Sequence, residues 1–343
     1  MEVKHADLPL VSIVITSYNR ADMIGKAIAS ALAQDYPNFE VIITDNCSED
    51  GTEEEVAKYL YDKRVKFSQN EVNIGMVPNF KKGIEELSNG KYFVNLCSDD
   101  QLVDKSFITN AVNLTRRYPD VTIVRGRNQS VYRDTGKIIL DDGTPFKTEF
   151  VKGEDFFLDF TGNENFGWEG VMLDREVLNT FNVFEKAYSG FDKSANLALL
   201  LRGNICLIDK VCYSFTVHSS SHTYNPTAKS LIDNFQMVEF PYEKALQLGT
   251  LDSAALKAWR RGYIFNISVK GARALYIRNK AEYQSFVDTV EREYGIKAEE
   301  LRTGLKVRID YLLYRFPVVG KSIAGVLKKL IRAFSWLRGK MTG

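Results

Sequence analysis

Cysteine is scarce in this 343-residue chain, and its four copies, Cys47, Cys97, Cys206 and Cys212, form no C-x-x-C pair and no metal-ligand spacing. That pattern leaves reduced thiols in a cytosol as the expectation. Long apolar runs are missing too: no stretch reaches the ~18 uncharged apolar residues that a spanning helix needs. No secretory leader is read at the start, where Met1–Asp7 lead straight into a short apolar strand. No internal repeat or low-complexity segment is present. Several enzyme signatures are also absent. No G-x-G-x-x-G follows the first strand, which speaks against a dinucleotide oxidoreductase. There is no Walker A lysine, no H-E-x-x-H and no G-x-S-x-G elbow.

Net charge is nearly absent as well, with 45 Lys+Arg against 44 Asp+Glu. A generic nucleic-acid binder is therefore not expected. The balance hides a segregation. Residues 301–343 hold ten basic side chains and one acid, Asp310, so the tail is +9 and the first 300 residues are −8. Hydrophobic content of 45% and charged content of 26% suit a globular chain that buries a proper core, in one large or two modest domains.

What is present is alternation. Leu10–Thr16, Phe39–Thr44, Val65–Phe67 and Lys91–Leu96 are short β-branched runs that read as strands. Between them Asp22–Leu32, Thr52–Leu60 and Val77–Leu87 carry apolar residues at helical spacing. Strand–helix alternation implies βαβ units and a mostly parallel sheet. Beyond residue 120 the pattern is mixed, with a strand at Val121–Val124 and a hairpin of Asn128–Arg133 with Lys137–Leu140. Helices are expected at Phe156–Phe160, Arg175–Phe181 and Ser194–Leu201, and strands at Ile205–Ile208 and Tyr213–Val217. From Thr227 nearly everything reads as helix. The expected division is 1–225, a helical extension 226–300, and a basic tail 301–343.

Ligands of such sheets sit beyond the carboxyl ends of the strands, so the residues following each strand matter. They are Ser17-Tyr18-Asn19-Arg20, Asp45-Asn46-Cys47-Ser48 and Cys97-Ser98-Asp99-Asp100. Adjacent carboxylates at Asp99-Asp100 need a cation or donors to neutralise them. They read either as ligands of a divalent metal bridging a diphosphate, or as a solvated turn or cap. Asp45-Asn46 reads either as a partner of a base or ribose, or as an Asx turn. Asn73-Ile74-Gly75 with Asn79 offers a tight turn and an amide able to face a ligand.

These segments in order, Val11–Arg20, Ile28–Gln34, Glu40–Thr52, Asn73–Gly75, Asn79 and Gly90–Asp100, resemble the opening of a family 2 glycosyltransferase. The resemblance is strong over residues 8–115 and weaker to about 222. It implies an α/β GT-A fold, Rossmann-like with a mostly parallel central sheet, followed by a helical C-terminal region. By the same resemblance Thr16, Tyr18, Arg20 and Asn73 would line a nucleotide pocket and Asp45 would meet the base, usually uracil. Asp99 and Asp100 would meet ribose and a Mg²⁺ or Mn²⁺ cofactor. The family often has an aspartate where this chain has Cys97. Further along, the resemblance puts Asp192 in the catalytic-base position, although Phe191 stands where a glutamate is usual. It puts His218 near the metal or diphosphate, and Trp168 and Glu169 among acceptor or sugar contacts. On the residues alone, Asp192 also reads as a helix cap, His218 as a core residue and Trp168 as a core tryptophan.

In the tail, Ile323, Val326, Leu327, Leu330, Ile331, Phe334 and Leu337 form one apolar helical face amid basic residues. It reads either as an anchor at an anionic membrane surface through 321–340, or as a helix docked on the acidic body. The expectation is therefore an inverting, metal-assisted transferase at the cytoplasmic face of the cell membrane. It would move a sugar from a nucleotide-sugar donor, a UDP-sugar, to a glycan or lipid-linked acceptor. The rivals are a non-catalytic nucleotide-sugar-binding scaffold and a transferase acting on polyprenyl phosphate.

Overall fold

A computed structural model describes residues 8–140, 146–162, 166–185, 188, 190–218, 227–278 and 280–302. The basic tail segment 321–340 lies outside them. The chain divides into two compact units, Met1–His222 with Gln236–Arg260, and Thr223–Phe235 with Arg261–Gly343.

The first unit is built on one sheet. Its opening elements are β1 (Val11–Ser17), α1 (Ile24–Leu32), β2 (Phe39–Asp45), α2 (Thr52–Ala57), β3 (Val65–Gln69), α3 (Met76–Lys81) and β4 (Tyr92–Cys97). A π-helical turn, Lys82–Leu87, extends α3. Next come β5 (Gln101–Leu102), α4 (Phe107–Arg117), β6 (Val121–Tyr132), β7 (Ile138–Leu140), β8 (Phe150–Val151) and α5 (Gly153–Asp159). They are followed by β9 (Val171–Asp174), α6 (Arg175–Asn179), α7 (Phe191–Leu200) and β10 (Asn204–Val217). The sheet order is β3-β2-β1-β4-β9-β6-β10-β5, with β7 paired to β6 and β8 to β10.

β1 to β4 are mutually parallel where they pair. The apolar residues of β1 and β2 are buried on both faces, as the continuous Val/Ile runs of a covered parallel strand require. Register does the positioning. Ser17 pairs with Asp45, Asp45 with Gln69, and Thr16 with Cys97, so the four strands end at one level. Their following loops therefore share one edge. β9 runs antiparallel to both β4 and β6, so its first residues lie at the end where β4 finishes.

Several expectations change in detail. Val121–Val124 and Asn128–Arg133 are one strand, β6, with β7 folded back on it. The two strands expected at 205–208 and 213–217 are also one, because register shifts between Ile208 and Tyr213 absorb Asp209, Lys210 and Cys212. β9 was not expected at all. Four residues following a Trp-Glu-Gly turn are too few to show a period.

Within this unit α7 packs on α9 (Gln236–Leu248), where the Met237 side chain lies against Gly190. The remaining elements are α8 (Ala228–Asp233), α10 (Ser253–Arg278), α11 (Lys280–Tyr294) and α12 (Ala298–Arg302). Trp259 of α10 donates from its indole nitrogen to the Phe160 carbonyl, at 3.0 Å. In the second unit α8 begins with a capping box between Thr227 and Ser230, and Glu282 of α11 accepts from the Ala228 amide at 2.8 Å. Phe235, Phe286 and Tyr294 form its aromatic centre. No helix among the described residues is long and apolar enough to cross a membrane.

Candidate active site

The loops after β1 and β2 are stitched to each other. Asn19 adopts a left-handed backbone with φ 52°, and its amide donates to Ser48 Oγ at 2.7 Å. Its side-chain oxygen accepts from the Glu49 amide at 3.0 Å. The Arg20 amide donates to Thr52 Oγ1 and the Ala21 amide to Asp50 Oδ2. Burial pushes the Asp50 carboxyl up. Hydrogen bonds from the Thr52 hydroxyl and from neighbouring amides outweigh this and hold it below the usual carboxylate range.

Behind these loops lies a network of asparagines. Asn46 donates to Asn73 Oδ1 at 2.8 Å and accepts from the Ile74 amide and from Asn70. Asn79 accepts from Asn70 at 2.9 Å and donates to the Thr44 carbonyl at 3.0 Å. Thr16, Tyr18, Arg20, Asn46, Asn73, Cys97 and Asp99 share the wall of one cavity of about 520 Å³. That size suits a nucleotide-sized ligand. A second cavity of about 420 Å³ lies beside α4, around the Arg117–Glu149 ion pair, and holds none of the candidate residues.

Asp99 stands at the meeting point. Its Oδ2 is 2.9 Å from His218 Nε2 and 3.4 Å from Arg20 Nε. Asp100 is different: it is 1% exposed, accepts from the Tyr213 hydroxyl on Oδ2 and from the Thr216 amide on Oδ1, each at 2.7 Å. Burial, then the Asp99 charge, pushes its carboxyl well above the usual range. One ligand atom each of Cys97, Asp99 and Asp100 lies within 4.8 Å of the others. Burial pushes the Cys97 thiol up, and the Asp100 and Asp99 charges add to it.

These groups fit a divalent cation of the Mg²⁺ or Mn²⁺ type in one specific way. Such ions take few protein oxygens and complete their shell with water and phosphate. Asp99 Oδ2 and His218 Nε2 converge at 2.9 Å. Asp100 is committed to Tyr213 and Thr216, and a protonated thiol is a poor partner for a hard cation.

The other carboxylates cluster further along the sheet edge. The loop before β9 is tied down on both sides. Asn128 donates to the Glu169 carbonyl, and Asn196 donates to the carbonyls of Phe166 and Gly167. Gly170 has φ +65°, a conformation that a side chain would strain. Gly167 lies against Glu169 and Asp192 together. A Cβ there would come 2.3 Å from Glu169 Oε2 and 2.6 Å from Asp192 Oδ2. Burial, reinforced by the Glu169 charge, pushes Asp192 up to about 7.

Two expectations require correction. Trp168 offers no face to a sugar: it is 2% exposed and packs edge-on against Phe80, Phe93, Phe184 and Phe191. Asp45 is 0% exposed and closes an Asx turn, accepting from the Ser48 amide and hydroxyl and from Gln69, while Asn46 beside it faces the cavity. Sequence reasoning also missed Tyr213 and Thr216, whose tie to Asp100 spans more than a hundred residues and leaves no local signal.

Parallel strands ending level beside a polar cavity, with a helical region following the sheet, are the architecture of the GT-A fold class. Two solved structures share the fold. One is the S. aureus TarS fragment 1-349 in complex with UDP-GlcNAc, with a TM-score of 0.59 and 18% identity over 89% of this chain and 81% of that one. The other is the mannosyltransferase PcManGT from Pyrobaculum calidifontis with GDP-Man and Mn²⁺, with a TM-score of 0.51 and 17% identity over 94% and 87%. The model described as "Glycosyl transferase family 2" matches residues 12–179, so this stretch of the chain is similar to that family. A Bacillus subtilis (strain 168) protein named as a teichuronic acid biosynthesis glycosyltransferase, TuaG, is 30% identical over 172 residues, 49% of this chain and 63% of that relative. The matched stretches span less than two thirds of the curated relatives' own length.

Proposed function

We propose that this chain transfers a sugar from a nucleotide-sugar donor, a UDP-sugar, to a hydroxyl of a glycan or lipid-linked glycan, with inversion. The observation that carries the reading is the convergence of Thr16, Tyr18, Arg20, Asn73 and Asp99 on one cavity. Asp192, whose carboxyl is poised near 7, is the group we assign to the acceptor. The printed names of the relatives, which include teichuronic acid and poly(ribitol-phosphate) enzymes, support a surface polymer as acceptor.

In this reading Asn46 and Asn73 hold the nucleotide end of the donor, and Tyr18 lies at the cavity mouth. Arg20, now 3.4 Å from Asp99, is within reach of the diphosphate. Asp99 and His218 would hold a Mg²⁺ or Mn²⁺ ion, which when bound supplies positive charge to the leaving diphosphate. Asp100 serves by support, fixing its loop to β10 through Tyr213 and Thr216. Asp192 takes the proton of the attacking hydroxyl, for which a carboxylate poised near the working pH is well matched. Because one displacement forms the new bond, the anomeric centre inverts. Glu169 sits beside Asp192 on the acceptor side.

We further propose that residues 321–340 bind an anionic membrane surface and hold the enzyme at the cytoplasmic face of the cell membrane. The +9 charge of the tail against the −8 remainder supports this. Deleting residues 317–343 should abolish co-sedimentation with anionic vesicles.

Calorimetry with UDP- and GDP-sugars in the presence of Mn²⁺ tests the central reading. A UDP-sugar should bind with micromolar affinity and be turned over when acceptor is added. Binding without transfer or hydrolysis across glycan acceptors would favour the scaffold reading, for which the cysteine at position 97 is the supporting feature. Transfer to polyprenyl phosphate alone would move the acceptor from a glycan to a lipid phosphate.

A further inference from the structure

Two carboxylates meet at Gly167. Glu169 reaches it from the turn before β9, and Asp192 from the first turn of α7. The room they occupy exists because residue 167 has no side chain, since any Cβ there would collide with both. Glu169 Oε2 is buried without a hydrogen-bond partner, a costly state for a carboxylate oxygen unless something shares a proton with it. The arrangement is not left to side-chain freedom. Asn196, one helical turn beyond Asp192 on α7, grips the Phe166 and Gly167 carbonyls at 2.9 and 3.0 Å. Asn128 of β6 grips the Glu169 carbonyl at 3.0 Å. The helix that carries one carboxylate therefore also holds the loop that carries the other.

We propose that Glu169 and Asp192 form a carboxylate pair that takes up a single proton between them, Asp192 contacting the acceptor and Glu169 acting as its positioning residue. This rests on the reading of Asp192 as the base. In the transfer step the acceptor O–H bond breaks and its oxygen bonds to the anomeric carbon. The bond from that carbon to the diphosphate breaks, its electron pair leaving with the diphosphate. The proton passes to the pair, which goes from two negative charges to one and later returns the proton to water. Two like charges in a buried site bind their first proton tightly, and the step belongs to the pair and not to one residue. Lys193 on α7 draws the Asp192 carboxyl down, while the buried Tyr188 phenol faces it from the preceding loop. Cys97, Asp100 and Tyr213 face Glu169 from the β4 loop and β10.

The test is carboxyl titration by NMR on the full chain, selectively ¹³C-labelled at Asp Cγ and Glu Cδ and assigned with Asp192→Asn and Glu169→Gln. In the unmodified chain one protonation step should move both carboxyl resonances together. Glu169→Gln keeps the shape and removes the charge, and should lower the Asp192 midpoint by about one pH unit or more. The acid limb of the transfer rate should shift by the same amount. Single-step, independent midpoints in the unmodified chain, or an unmoved Asp192 midpoint in Glu169→Gln, would overturn the pair. Failure of the base assignment looks different: an Asp192→Asn chain that still transfers sugar sinks it, while the shared protonation step stays visible in the unmodified protein.

Discussion

The two sides of the candidate site are built on opposite principles. On the proposed donor side most polar groups have a protein partner, Ser17 Oγ and Thr44 Oγ1 being buried exceptions. Asn19 and Ser48, Arg20 and Thr52, and the four asparagines 46, 70, 73 and 79 lock the strand-end loops together. Around the turn before β9 more polar atoms are buried without partners: Asn128 Oδ1, Trp168 Nε1 and Glu169 Oε2. A satisfied network is stiff and keeps its shape when empty. A set of unmet donors and acceptors stores electrostatic potential that a substrate or a proton can discharge. Under the proposed function the first side recognises the donor and the second reacts.

The largest effect expected from breaking this comparison is at the point where both sides meet. Asp99→Ala should lower transfer by about three orders of magnitude, because a diphosphate stabilised by several kcal/mol loses its cation site. Wild-type turnover in that variant, followed by radiolabelled donor, would place the cation elsewhere. Asp192→Asn should come next, with transfer reduced ~10²–10⁴-fold and donor binding by calorimetry unchanged. In the wild type the rate should climb with pH through about 7, as the Asp192 carboxyl ionises.

The same group has a stability signature. Its pKa is raised in the folded state, so the folded protein holds a proton that the unfolded chain releases. Stability from Asp192 is therefore full at low pH, falls between the ordinary carboxylate range and about 7, and levels off above. Denaturant melts across this window should show a slope that Asp192→Asn reduces.

Donor-side substitutions should act on the scaffold. Asn79→Ala removes the bond to the Thr44 carbonyl and one of the two made by the Asn70 amide, and should cost about 1–3 kcal/mol in chemical unfolding. Gln69→Ala, at the exposed edge beyond Asp45, should cost about 1 kcal/mol or less. If Asn79→Ala left stability untouched but ruined the acid limb of the rate, the division between the two sides would fail.

Much of the donor side was legible because its information is local. A buried strand announces itself in Val11–Ser17 or Phe39–Asp45, and the residue after each strand is the one at the edge. The order of the motifs gave the family resemblance from those same loops. Legibility fell where long-range pairing decides. Nothing near Asp100 in the sequence signals that Tyr213 and Thr216 will occupy its oxygens, and nothing near Asp45 says that Gln69 will join Ser48 in closing it off. Trp168 looked like a sugar platform because an aromatic beside an acid is ambiguous. Only the four rings packed around it decide the matter. The π-helical turn after α3 was invisible for a related reason: an extra residue in a helical turn leaves the apolar spacing nearly unchanged.

The reversed direction of β9 carries a consequence for how such a chain can change over generations. Strands β1 to β4 deliver their loops from below the edge, each at the end of its own strand, so an insertion in any of them disturbs the shared level. The turn Phe166–Gly170 instead arrives before its strand begins, and only then does β9 enter the sheet between β4 and β6. The turn is held by side chains of β6 and α7 and not by the sheet ladder, so a change there is felt at Asn128 and Asn196 and not in the register of β1 to β4. If the proposed assignment holds, acceptor choice rests on contacts that can change separately from the strand ends that form the donor cavity.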